Sequence, residues 1–303
     1  MRGKSQMQSI KLSVLDLVPQ YNDVPPETAL QEAIRLAIHS EAWGYDRYWA
    51  AEHHDLEGLA CASPEILLSH IGARTQRIRL GTGALLLPHY SPMKVAESFH
   101  LLSCLNPGRI DLGIGRAPGG PAHASMALSG NFLQHVADMP TSMDALIKFF
   151  EDGYQYEGHP VKARPIPKEP PQVWMLGTNE KGGKYAAEFG TGYVFGHFMS
   201  EQDGARVLRA YREEFRPGKL RHFPETLVAV SVICAESEEK ARSLTPPASS
   251  PIVNSLVGHP DKIQCELRKL QRTLGNSEFL VHCPIPDYEA RLESYRLLAG
   301  QRC

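Results

Sequence analysis

No two of the six cysteines in this chain are spaced as CxxC, and no HxH pair occurs among its 13 histidines. Clustered thiols are what a disulfide framework or a structural zinc site requires. Cys61, Cys104, Cys234, Cys265, Cys283 and Cys303 therefore read as reduced thiols of a cytoplasmic protein. The chain also lacks any run near the ~18 apolar residues of a membrane span, and its opening MRGKSQMQS is too polar for a signal peptide. Charge of one sign is lacking too: 32 Lys and Arg stand against 34 Asp and Glu, for a formal net charge of -2. With no basic block, nothing favours nucleic acid or an anionic membrane as partner. Walker and GxSxG motifs are absent. GTGALL (Gly81 to Leu86) lies inside a strand-like run instead of a strand-to-helix turn, which argues against a Rossmann dinucleotide site. There is no internal repeat, and the proline-rich tracts 163–171 and 245–251 read as surface loops.

What is present is an ordinary globular composition, 42% hydrophobic and 22% charged over 303 residues, large enough for a substantial core. Apolar strand-like runs fall at about 10–18, 46–51, 77–87, 109–115, 172–177, 192–198, 226–235 and 278–283. Helical patterns separate them. Thr28 and Gln31 can form a capping box ahead of the apolar face Leu30, Ala33, Ile34, Ala37 and Ile38, and Ser63-Pro64 and Ser91-Pro92 each place a capping serine before a helical proline. Further helices are expected at 138–152, 180–189, 201–215, 236–244 and 260–274. Eight strands alternating with helices imply parallel pairing. The closed solution is an α/β fold, a (β/α)8 TIM barrel, with insertions after the fourth and seventh strands and residues 1–303 as one domain. An open doubly wound sheet is the alternative.

Active sites of such barrels gather at the carboxyl ends of the strands. Here those ends carry Glu52-His53-His54, His89, Gly115-Arg116, Gly177-Thr178-Asn179 and His197. In RIDLGIGRAPGG (Arg109 to Gly120), glycines lack side chains where a flat ligand could approach the backbone, and Arg116 offers a fork of donors for phosphate or carboxylate. The same residues could form a plain glycine-rich turn with an exposed arginine. Gly177, Thr178 and Asn179 open a helix whose free N–H groups favour phosphate, so with Arg116 they make a candidate phosphate clamp. No metal site is expected, because adjacent residues such as His53 and His54 point to opposite faces of a strand.

Taken in order, YDRYWAAEHH, IRLGTGALLLPHYSP, NPGRIDLGIGRAPG, VGHPDKI and DYEARLESYRLLA resemble the bacterial-luciferase-like flavin monooxygenase superfamily, in its single-gene branch, over nearly the whole chain. The resemblance implies a usually dimeric (β/α)8 barrel that takes reduced FMN from a separate reductase and oxidises a small organic substrate with O2 through a flavin C4a-hydroperoxide. Carried over by position, His53 is the flavin-facing catalytic histidine and His54 its partner. Gly83-Ala84 is the site of a non-proline cis peptide against the flavin, Gly115 lies near the reactive ring edge, and Arg116, Gly177, Thr178 and Asn179 bind the phosphate. His197 and Asp16 would belong to the substrate pocket. Relatives usually have Ser-Ser-Gly where this chain has Thr178-Asn179-Glu180, placing a carboxylate beside the expected phosphate. They also carry a longer lid segment after the seventh strand, where this chain runs from Ala241 to Gly258 through a short proline-serine stretch. A deazaflavin-dependent oxidoreductase and a non-catalytic flavin-binding barrel are the competing readings.

Overall fold

The computed structural model describes residues 9–21, 24–246 and 252–300. Eight parallel strands close on themselves: β1 (Lys11–Asp16), β2 (Arg47–Ala50), β3 (Arg79–Thr82), β4 (Ile110–Gly115), β5 (Gln172–Gly177), β6 (Gly192–Gly196), β7 (Thr226–Cys234) and β8 (Glu278–His282). Each pairs with its neighbour in sequence, and β8 returns to β1 with Val281 opposite Val14. This is the (β/α)8 barrel the strand count implies. The connecting helices are α1 (Pro26–Ala42), α2 (Pro64–Gly72), α3 (Pro92–Leu105), α4 (Ala122–Ser129), α5 (Phe132–Ala137), α6 (Met139–Phe150), α7 (Glu180–Glu188), α8 (Gly204–Glu214), α9 (Glu238–Ser243), α10 (Pro260–Leu274) and α11 (Tyr288–Ala299).

Alternation along the strands sorts the interior into two cores. Outward residues such as Leu12, Val14, Tyr48, Leu112, Phe279 and Val281 meet the helices in one large cluster. Inward residues Leu15, Trp49, Trp174, Val194, Leu227, Ala229 and Leu280 fill the barrel itself. The amino-terminal end of the barrel is closed by charge. Asp111, fully buried, accepts hydrogen bonds from Arg47 Nη1 (2.8 Å), Arg79 Nη2 (2.6 Å) and Trp49 Nε1 (3.0 Å). Arg47 also donates to Glu278 (2.7 Å), and the guanidinium of Arg221 lies 4.4 Å from the centre of the Trp174 ring. Burial would push the Asp111 carboxyl up, but Arg47 and Arg79 outweigh it and hold it below the usual range.

Several local expectations change. The third strand is not one run over 77–87: it stops at Thr82, and Leu85–Leu86 resumes the pairing with β4. From the pair Gly81 and Asp111 to the pair Leu85 and Ile114, one strand advances four residues and the other three. That extra residue makes a bulge, and the peptide bond between Gly83 and Ala84 within it is cis. Helix α1 begins at Pro26, two residues before Thr28, so the capping box does not form; proline pre-sets the first turn instead. Ser63 and Ser91 sit at helix starts before proline as expected, yet neither side chain caps. The stretch 117–171 holds α4, α5 and a small hairpin (Gln155–Tyr156 with His159–Pro160) besides the expected helix. After β7, a short strand Ser255–Gly258 pairs with the second half of β7 where β6 has ended. Residues 247–251 of the proline-serine stretch, like Cys303, lie outside the described residues.

Removing Asp111 leaves Arg47 and Arg79 buried without their shared anion. Asp111→Ala is expected to cost about 3–5 kcal/mol of stability, measured by denaturant unfolding; a loss under about 1 kcal/mol would show that the cluster is not needed.

Candidate active site

The charged plug leaves the carboxyl ends of the strands as the open end, and a cavity of about 490 Å³ lies there. His53, Gly83, Ala84, Gly115, Arg116, Gly177, Thr178 and Asn179 all line it, joined by Leu15, Leu17, Glu52, Val136, Met139, Tyr185, Phe198 and Met199. Gly115 has a packing reason to be glycine: a Cβ there would stand 2.9 Å from Ala84 Cβ across the bulge. The absent side chain serves the neighbouring strand first, and the cavity inherits the space.

His53 stands where β2 has run out into the rim, its backbone N–H bonded to the Cys61 carbonyl (2.9 Å). Its Nδ1 is buried without a partner. Burial, and then His54, lower its pKa, so the ring is neutral at neutral pH. His54 faces away from the cavity and is held by Glu52 (Nε2 to Oε1, 2.7 Å). Glu52 is a hub that sequence reasoning did not single out. Its Oε1 also accepts from Tyr90 (2.8 Å), its Oε2 accepts from the Leu86 N–H (2.9 Å), and its own N–H donates to the Ala84 carbonyl (3.2 Å). It thereby ties the His53-His54 segment to both sides of the bulge.

On the opposite wall, α7 starts at the end of β5. Asn179 caps it, Oδ1 accepting from the Gly182 N–H (3.1 Å), which leaves the N–H groups of Glu180 and Lys181 without intrahelical acceptors. The Tyr193 hydroxyl donates to the Asn179 carbonyl (3.0 Å), and Arg116 lines the same cavity as this turn. Arg116 forms no ion pair among the described residues. Glu180, the carboxylate that departs from the family pattern, is drawn away by an ion pair with Arg206 on α8. These observations fit a phosphate-bearing group: a free guanidinium, a helix start, and a diverted carboxylate.

Two expected pocket residues are elsewhere. Asp16 has the parity of Leu12 and Val14 and points outward from β1, where Oδ1 accepts from Arg291 (2.7 Å) and the Val18 N–H (2.7 Å) and Oδ2 from Tyr48 (2.7 Å). It fixes α11 to the barrel and does not reach the cavity. His197 does not line the main cavity either; it borders a neighbouring one of about 370 Å³ with Asn254, Glu266 and Lys269. Its burial lowers its pKa, and Nδ1 is without a partner. Among the described residues, no group of three His, Cys, Asp or Glu is placed to hold a metal ion, and no helix is long and apolar enough to cross a membrane. The contributions of Val136 and Met139 from the insertion after β4 had no signal in the sequence, whereas Leu15 was readable from the strand alternation that places it inside.

A (β/α)8 barrel whose cavity sits at the carboxyl end, lined by a histidine, an arginine and the start of a helix, is the class that fold and site define. The luciferase-like monooxygenase family model matches residues 10–279, and the chain belongs to that family. Its relatives in Bacillus subtilis (strain 168) include the uncharacterized protein YceB, 36% identical over 96% of this chain and 98% of its own, and N-acetyl-S-alkylcysteine monooxygenase, 30% identical over 96% and 97%. The crystal structure of apo-MsnO8 is similar throughout, at 32% identity, TM-score 0.88, and 96% and 98% coverage. The fold is shared with the oxygenating constituent of 3,6-diketocamphane monooxygenase from Pseudomonas putida in complex with FMN, at 19% identity, TM-score 0.75, and 97% and 98% coverage.

One more interior histidine, His282 on β8, is buried against Phe198 and has its pKa lowered to about 4 by burial and then by Arg291. Between about pH 6.5 and 4 the unfolded chain binds a proton there that the fold refuses, so stability falls as pH drops through this window. The acid limb of a stability–pH curve should flatten in His282→Asn; an unchanged limb would assign it to other groups.

Proposed function

We propose that the protein is a flavin-dependent monooxygenase that uses reduced FMN and O2 to oxidise a small organic substrate, one oxygen atom entering the substrate and the other leaving as water. The observation that carries this is the pairing, in one cavity, of the unpaired Arg116 and the α7 start with the neutral, half-buried His53, whose Nδ1 has no partner. Arg116, the Thr178-Asn179 turn and the N–H groups of Glu180 and Lys181 would hold the phosphate. Gly83, Ala84, Gly115 and Gly177 leave the walls open to a flat ring. Reduced flavin, when bound, supplies the two electrons that activate dioxygen. Among the described residues His53 is the one histidine that lines the wall, a ring able to give or take a hydrogen bond at the reacting oxygen, and Glu52 through His54 fixes the segment that carries it. The apolar walls exclude water from the reaction.

The electron supply in this reading is a separate flavin reductase that docks transiently, and the assembly is a cytoplasmic homodimer. Exposed Ile66 on α2 and Leu101 and Leu105 on the adjacent α3 support such an assembly.

Two substitutions divide binding from chemistry. Arg116→Ala should weaken FMN binding about 10- to 100-fold, the equivalent of losing a charge-assisted hydrogen bond, read by quenching of flavin fluorescence. His53→Ala should hold FMN within about threefold of the parent yet lose product formation by about 100-fold or more. Turnover unchanged in His53→Ala would refute the role given to that residue. Oxygen consumption that yields only hydrogen peroxide across a panel of thioethers, aldehydes and ketones would favour the non-catalytic barrel, and a bound deazaflavin spectrum would favour hydride transfer.

A further inference from the structure

The charge inventory of the cavity restricts what can enter it beside the cofactor. Among the described residues that line it, the acidic and basic side chains are Glu52, Arg116 and His53, and burial keeps His53 neutral. The Glu52 side chain is 0% exposed, its oxygens held by His54, Tyr90 and the Leu86 N–H, so it presents backbone and no charge to the cavity. Glu180 is paired with Arg206 on α8, and Asp16 is sealed under Arg291 on the outer face of β1. One free charge remains, Arg116, and the flavin phosphate claims it. Beyond the uncharged polar groups of Thr178, Asn179 and Tyr185, the wall is apolar, with Leu15, Leu17, Val136, Met139, Phe198 and Met199, and among the described residues it holds no further counter-ion for either sign.

We infer, resting on the flavin-site reading, that the substrate is an uncharged, predominantly apolar molecule and that the site rejects its carboxylate and ammonium analogues. A charge taken from water into such a wall loses its hydration and gains no partner, whereas an alkyl chain gains from the same transfer. Met199, 48% exposed and lining the cavity, marks the mouth, where an introduced cation could meet an anionic ligand.

The test uses three probes of one chain length: methyl octyl sulfide, 8-(methylthio)octanoate and 8-(methylthio)octan-1-amine. Each is titrated calorimetrically into protein first shown to be saturated with oxidised FMN. The neutral sulfide should bind at least about 100-fold more tightly than either charged analogue. Met199→Arg should then strengthen octanoate binding at least tenfold while leaving the amine weak; Val136→Arg, on α5, is the second variant should the first not fold. The inference is overturned if the carboxylate or the amine binds within about threefold of the neutral sulfide, or if none of the three binds. Failure to take up FMN at all is a separate result: it removes the flavin reading itself, and this inference with it.

Discussion

Everything at the open end of the barrel depends on how the other end is closed. Asp111 sits at the first inward position of β4 and gathers Arg47 from β2, Arg79 from β3 and the indole of Trp49, so one carboxylate joins three consecutive strands. A buried anion with two guanidinium partners costs little only while all three are present. Above that layer Trp49 and Trp174 meet edge to face at 6.0 Å, and above them the side chains shrink to Leu15, Val194, Ala229 and the glycines of β4. The side chains inside the barrel are charged at the bottom, aromatic in the middle and small at the top. The small side chains at the top leave the space in which the cavity at the carboxyl end lies.

The same alternation explains what could be read from the sequence and what could not. Strand positions came out within a few residues because each has an apolar outer face that helices cover, and that pattern is local. His53, Gly83, Ala84, Gly115, Arg116, Gly177, Thr178 and Asn179 are brought to one cavity because each lies at or just past a strand end, a property of position along the chain. Asp16 failed because a strand end has two faces, and its parity sends it outward to Arg291. His197 failed for a related reason: the 3-10 turn His197–Met199 rotates the chain so that Phe198 and Met199 face the cavity in its place. The role of Glu52 was hidden because its partners, Tyr90 and the Leu86 N–H, are distant in sequence and meet it only through the bulge.

The segment after β7 shows how a short connection can still shape the site. Val253 and Asn254 donate their N–H groups to the Phe198 carbonyl (2.8 and 3.3 Å), and the Asn254 amide donates to the carbonyls of His197 (3.0 Å) and Ser200 (3.1 Å). Ser200 Oγ in turn donates to the Thr178 carbonyl (2.7 Å). One continuous set of hydrogen bonds thus runs from the β7 connection through the turn bearing Phe198 and Met199 to the residues expected to meet the cofactor phosphate. Each link fixes a backbone carbonyl and leaves side chains free to face the cavity. A wall held through its backbone can exchange its side chains without losing its position, so the apolar surface of Phe198 and Met199 can vary independently of the Thr178 turn.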